Sequence, residues 1–215
     1  MKKLALTFIS LLIVSVTFAD SPLTSTDFYN AYQDVSLVKE AQKAKGKLSK
    51  EMLTYLADDG NKLDVKLAII NAIGWNVNGL SNSKKFLTYV MKKKKYKVVF
   101  GGEETTFNWS ATADELTCYA YLKALDNYFD VIDACNVASL ALKKNPNSFA
   151  TNMIYNLIKV QGLTSFNEYC YASKTYNTLR NNQNLIMDMR KESTSYIFEY
   201  MDFVGSKCDS LNSKR

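Results

Sequence analysis

The chain is 215 residues long, 47% hydrophobic and 22% charged, with a formal net charge of +6, two prolines, eight glycines, four cysteines and no histidine. The missing histidine excludes Ser-His-Asp and Cys-His catalysis and the usual histidine zinc sites. So few prolines and glycines argue against a barrel or sandwich built on many tight turns and favour an all-α fold, because long helices need little punctuation.

Residues 1–19 join Lys2 and Lys3 to an apolar core from Leu4 to Val16 and then to small Thr17 and Ala19 around Phe18. That is the anatomy of a cleaved secretory signal, too short and wrongly flanked for a stop-transfer helix. The protein is expected in the periplasm or outside the cell, its mature chain starting at Asp20 without a cysteine there to carry lipid. No later apolar run approaches membrane-spanning length. Removing 19 of the 215 residues leaves 196, which suits one helical domain over 20–208 ahead of a polar tail at 209–215. Loss of the two leader lysines lowers the charge from +6 to +4.

Residues 21–24 are polar and read as loose. Ser25 or Thr26 caps a helix carrying Phe28, Tyr32, Val35 and Val38 that fades near Gly46, and Ser49 caps a short one with Met52, Leu53 and Leu56 that ends at Gly60. Leu63, Leu67, Ile70 and Ile73 form a stripe thickened by Val65, Ala68 and Ile69, so this helix should be among the most buried. Gly74 is placed to stop it. Trp75 follows among asparagines and Gly79, either covering the helix end or offering a platform for a sugar. Ser81 or Ser83 then opens a helix that buries Phe86, Leu87 and Val90 and closes on Lys92 to Lys95 plus Lys97. Those lysines read as a solvated helix end that complements the dipole, and no nucleic-acid partner is expected. Residues 96–109 break the helical pattern. They are rich in β-branched and aromatic side chains around Gly101-Gly102, so a small β-hairpin is the natural reading.

From Thr112 to Pro146 the pattern is clearest. Thr112 and Glu115 make a capping box; Leu116, Tyr119, Ala120, Leu122 and Leu125 form one stripe; Val131, Ala134, Val137, Ala138, Ala141 and Leu142 form a second. Lys143 and Lys144 suit the end of that helix and Pro146 forbids its continuation. The stretch resembles a tetratricopeptide repeat, a 34-residue helix-turn-helix unit, with Ala134, Ala141 and Pro146 at the family's mutual spacings. It departs from that pattern at Leu122, where the family prefers a small residue, and at Cys118, where a bulky aromatic is common. The resemblance implies a partner groove lined by Tyr119, Lys123, Asp126 and Asn127. Beyond Pro146, Ser148 opens a helix with Ile154, Leu157 and Ile158, and Thr164 or Ser165 opens one with Phe166, Tyr169, Cys170, Tyr176 and Leu179. After a 181–184 loop, a long last helix should bury Leu185, Ile186, Met189, Tyr196, Ile197, Tyr200 and Phe203, with Gly205 loosening its end. The sum is about eight helices in antiparallel hairpins, forming an irregular α-α bundle or short solenoid.

Four cysteines, Cys118, Cys135, Cys170 and Cys208, allow two disulfides in three pairings in an exported chain. Cys118 and Cys135 fall out of register across the Thr112–Pro146 turn, and apolar helical surroundings favour buried free thiols. The paired carboxylates Glu103-Glu104, Asp58-Asp59 and Asp114-Glu115, with Glu168, could supply a glycosidase acid and base. Carboxylates beside loops are common, however, so the expectation is an exported, non-enzymatic helical protein that binds a peptide or protein and needs no metal or cofactor. The alternative is a glycan-binding or carbohydrate-active protein using Trp75 and Trp109 with Glu103 and Glu104, which requires both indoles in one concavity.

Overall fold

The computed structural model describes residues 21–76, 78–163 and 166–212. The leader at 1–19 and the end of the tail at 213–215 lie outside the described residues. Within them the elements are α1 (Pro22–Ser25), a 3-10 turn (Phe28–Tyr32), α2 (Ser36–Lys43), α3 (Lys50–Leu56), α4 (Leu63–Ile73), α5 (Asn82–Lys94), α6 (Gly102–Ser110), α7 (Ala113–Asp126), α8 (Ile132–Lys144), α9 (Phe149–Gln161), α10 (Phe166–Arg180) and α11 (Lys191–Asn212). The fold is all-α. Among the described residues there is no strand, and isolated bridges join Val99 to Gly102 and Ser148 to Ile186. No described helix is long and apolar enough to cross a membrane.

Helix starts with a local cap form where the sequence marks them. Ser49 accepts from Met52 N at 3.2 Å, and Ser148 accepts from Thr151 N at 3.0 Å. Thr112 accepts from Glu115 N at 3.2 Å while Glu115 Oε2 accepts from Thr112 N at 2.9 Å, completing the capping box. Each such cap stabilises its helix by about 1 kcal/mol.

The 96–109 hairpin does not form, because α6 occupies Gly102–Ser110. Gly101 (φ +103°) and Gly102 (φ +90°) take left-handed conformations that reverse the chain, after which Glu103 and Glu104 sit on the first helical turn, where the dipole favours carboxylates. Thr105 and Thr106 direct their hydroxyls back to the Gly101 and Gly102 carbonyls. These local bonds override the β-branched composition.

At the start of the described chain, 21–24 is not loose: Pro22 opens α1 and Leu23 is fully buried. The helix expected from Phe28 to Val38 divides into the 3-10 turn and α2, with Val35 extended between them. The last helix starts at Lys191 rather than Leu185. Ile186 pairs with Ser148 and remains exposed, as does Phe203. The tail at 209–212 continues α11. Cys170 and Cys208 are bonded, whereas Cys118 and Cys135 are free, so the free-thiol expectation is corrected for one pair. The reason is packing: α10 lies on α11 and brings the two Cα atoms to 5.7 Å, within disulfide reach.

α7 is the axis of the molecule, packed against α4, α5, α8 and α9. Every residue of α4 is buried as well. The 3-10 turn sits against α4 and α11, closing the N-terminal segment onto the C-terminal helix. Tyr32 makes that junction: its hydroxyl donates to Asp64 at 3.1 Å, and its ring lies under the Arg190 guanidinium, which itself grips Asp34 at 2.6 and 3.0 Å. A single hydrophobic core runs from Leu23 to Met201.

Candidate functional site

Asp126, the last residue of α7, shapes one end of the molecule. Its carboxylate accepts from Asn82 N at 3.1 Å, Ser83 N at 2.7 Å and Ser83 Oγ at 2.6 Å, so it caps α5 from another helix. Its carbonyl accepts from Leu80 N at 3.4 Å. The chain after α4 is thereby strapped over the end of α7, and Trp75 stacks on Tyr128 with ring centres 4.3 Å apart and planes 19° apart. Phe129 meets Tyr128 edge-on at 5.3 Å. Beneath them Val131 is buried, while Phe129 (76% exposed) and Ile132 (70%) face solvent. Asn76, Asn78 and Asn127 are exposed around this aromatic turn.

A second feature is a cavity of about 620 Å³ between the α3–α4 loop, the starts of α4 and α7, and the segment before α11. Most of its charged side chains are held by other parts of the fold. Asp59 pairs with Lys94 at 2.5 Å, and Asp64 binds Tyr32. Asp188 accepts from Ser148 Oγ at 2.5 Å and Ala150 N at 2.8 Å, adding to the cap on α9. Among its carboxylates Asp114 is the exception, with no hydrogen bond or ion pair among the described residues. Burial raises its pKa, and the charge of Lys66 offsets part of that rise. Lys66 is 0% exposed and its Nζ has no hydrogen-bond partner among the described residues. The Cys118 thiol, one turn after Asp114, is pushed up to about 12 by burial, which leaves it an inert thiol rather than a nucleophile. Among the described residues no group of three or more Cys, Asp and Glu side chains could hold a metal ion.

The groove residues implied by the repeat resemblance are engaged within the fold. Tyr119 is buried with its ring edge-on to Phe107 at 5.1 Å. Lys123 pairs with Glu104 at 2.6 Å and lies 3.8 Å from Asp133, and Asp126 caps α5. Asn127 stands exposed at the aromatic turn.

The residues of the glycan alternative are not brought together. Trp109 (81% exposed) precedes α7 and Trp75 stacks on Tyr128 just after it, so the two indoles are attached at opposite ends of a 14-residue helix about 21 Å long. Glu104 is paired with Lys123, and Glu103 is exposed beside it. The Tyr128–Phe129 contribution at the turn had one sequence signal, two adjacent aromatics between stripes that have no use for them. Lys66 had none, since its burial depends on helices distant in sequence. Comparison of the chain with protein-family models, curated proteins and solved structures finds no match.

Proposed function

We propose that this is an exported, non-enzymatic helical interaction protein that presents the Trp75, Tyr128, Phe129 and Ile132 turn to a protein or peptide partner. The observation that carries this reading is the exposure of Phe129 and Ile132 beside a stacked aromatic pair already fixed by the Asp126 strap. Contiguous exposed apolar surface rimmed by polar groups marks interaction sites, and rigid aromatics are the usual anchors. The cavity carboxylates are a weaker basis for function, because all but Asp114 are tied to structural partners.

The packing also supports the repeat-like reading of α7 and α8 as an antiparallel hairpin. α9 packs on both of them, as the first helix of a following unit does in stacked helical repeats. The apolar leader at 1–19 and the Cys170–Cys208 bridge support work in the periplasm or outside the cell, where disulfides persist.

The test is a photo-crosslinking amino acid at position 129 in cells producing the full chain. A discrete protein adduct that disappears on Ile132→Ser is expected. The glycan reading keeps one observation in its favour, the flat Trp75–Tyr128 stack with its asparagine rim. It predicts no adduct and saccharide-dependent quenching of Trp75 fluorescence in a Trp109→Phe background. That pair of results would replace the protein partner with a sugar.

A further inference from the structure

The geometry points to a second surface, where the chain leaves α5 and enters α6, built to dock on an anionic membrane. The Lys92–Lys97 run does not behave as one solvated helix end. Lys93 turns back to the Ala57 carbonyl at 2.9 Å, and Lys94 reaches Asp59 and the buried Glu115 at 3.2 Å. Lys92, Lys95 and Lys97 are exposed and have no ion pair or hydrogen bond through their side chains among the described residues. Directly after them the chain offers Val98 (58% exposed), Val99 (51%) and Phe100 (103%). Phe100 therefore makes no packing contribution to the fold.

This tip is held in shape. Val99 N donates to Thr106 Oγ1 at 2.8 Å and Gly102 N to Val99 O at 3.1 Å, so the residues before α6 run back along it, and Tyr96 OH donates to Ser110 O at 3.3 Å. A fixed apolar point that follows three unpaired cations along the chain matches the two layers of a lipid surface: phosphate headgroups for the lysines, acyl chains for Phe100 and the valines. Nucleic acid would satisfy the lysines and leave the valines in water. Glu103, exposed on the first turn of α6, is the uncompensated carboxylate at this tip, since Glu104 is paired with Lys123. The three lysines outweigh it.

Flotation of the purified protein with vesicles tests this. Binding to phosphatidylcholine mixed with phosphatidylglycerol is expected, with none to phosphatidylcholine alone, and it should weaken as salt rises. Phe100→Ser should weaken binding about tenfold or more by removing one inserted side chain. Lys92→Glu with Lys97→Glu should also weaken it at least about tenfold. Lys95 is left in place because it holds the left-handed end of α5 (φ +55°). All substituted positions are exposed, and unchanged circular dichroism would confirm folding. The inference is overturned by absence of binding to the anionic vesicles, or by binding that Phe100→Ser leaves intact. It is equally overturned if a single-stranded oligonucleotide binds and Phe100→Ser does not weaken the vesicle interaction.

Discussion

Asp114 sits on the first turn of α7, where helix amides favour a carboxylate, yet its pKa is raised because burial outweighs them. A carboxyl whose folded pKa lies above its unfolded value of about 3.9 adds stability in its protonated form. That stability is fully present below about pH 3.9 and is lost as pH rises through the folded value. Asp114→Asn keeps the group neutral throughout. It should therefore be more stable than the wild type at neutral pH, with the advantage shrinking toward acid, as read by urea denaturation from about pH 3 to pH 7. Lys66→Met, which removes the charge that lowers this pKa, should push the Asp114 titration further up in an NMR titration. A wild type that gains on Asp114→Asn with rising pH would mean the helix-end amides outweigh burial. Legibility at this scale follows sequence distance. The Thr112–Glu115 box spans three positions and is visible in the sequence. The Asp126 cap on Ser83 spans 43, so a reading based on local spacing assigns Asp126 to a groove instead.

Elements were legible where their causes were local. α3, α7 and α9 begin at the capping residues the sequence shows, and α4 is as buried as its stripe implies. α6 was not legible, because a left-handed glycine pair followed by glutamates and back-bonding threonines starts a helix in a stretch whose composition favours strands. Gly205 shows the same limit. It lies inside α11 rather than loosening its end, and a Cβ there would stand 2.6 Å from Ser173 Oγ on α10. Ser173 Oγ in turn donates to Met201 O at 3.1 Å, so it cannot yield without losing that bond. In the wild-type background, Gly205→Ala should gain helix propensity of about 1 kcal/mol and lose as much or more to overpacking. In a Ser173→Ala background the clash is gone and the same substitution should stabilise. A double-mutant cycle by chemical denaturation should return a favourable coupling of about 1 kcal/mol or more. Additive effects would mean the helices separate freely here.

For the molecule as a whole, composition identified the all-α class but not the closure of the chain. The N-terminal segment meets α11 through Tyr32 and Arg190, and α10 is tied to α11 by Cys170–Cys208, contacts that join residues far apart in sequence. Such closure has no periodic signature, and register across one hairpin argues against Cys118 with Cys135 without revealing that Cys170 meets Cys208. The bridge closes a 38-residue separation, so its loss should cost about 2–4 kcal/mol by widening the unfolded ensemble. Cys170→Ser with Cys208→Ser should lower the urea midpoint accordingly, and reductant should do the same to the wild type but not to the variant. Thiol counting gives the sharper result. Without reductant, Cys135, which is half-buried, should be alkylated in the folded protein before Cys118, which is inaccessible until α7 leaves the core. Denatured but unreduced protein should show those two thiols alone, and reduction should expose the other pair. Four reactive thiols in unreduced denatured protein would remove the covalent tie between α10 and α11, and with it the support that the bridge gives to an oxidising location.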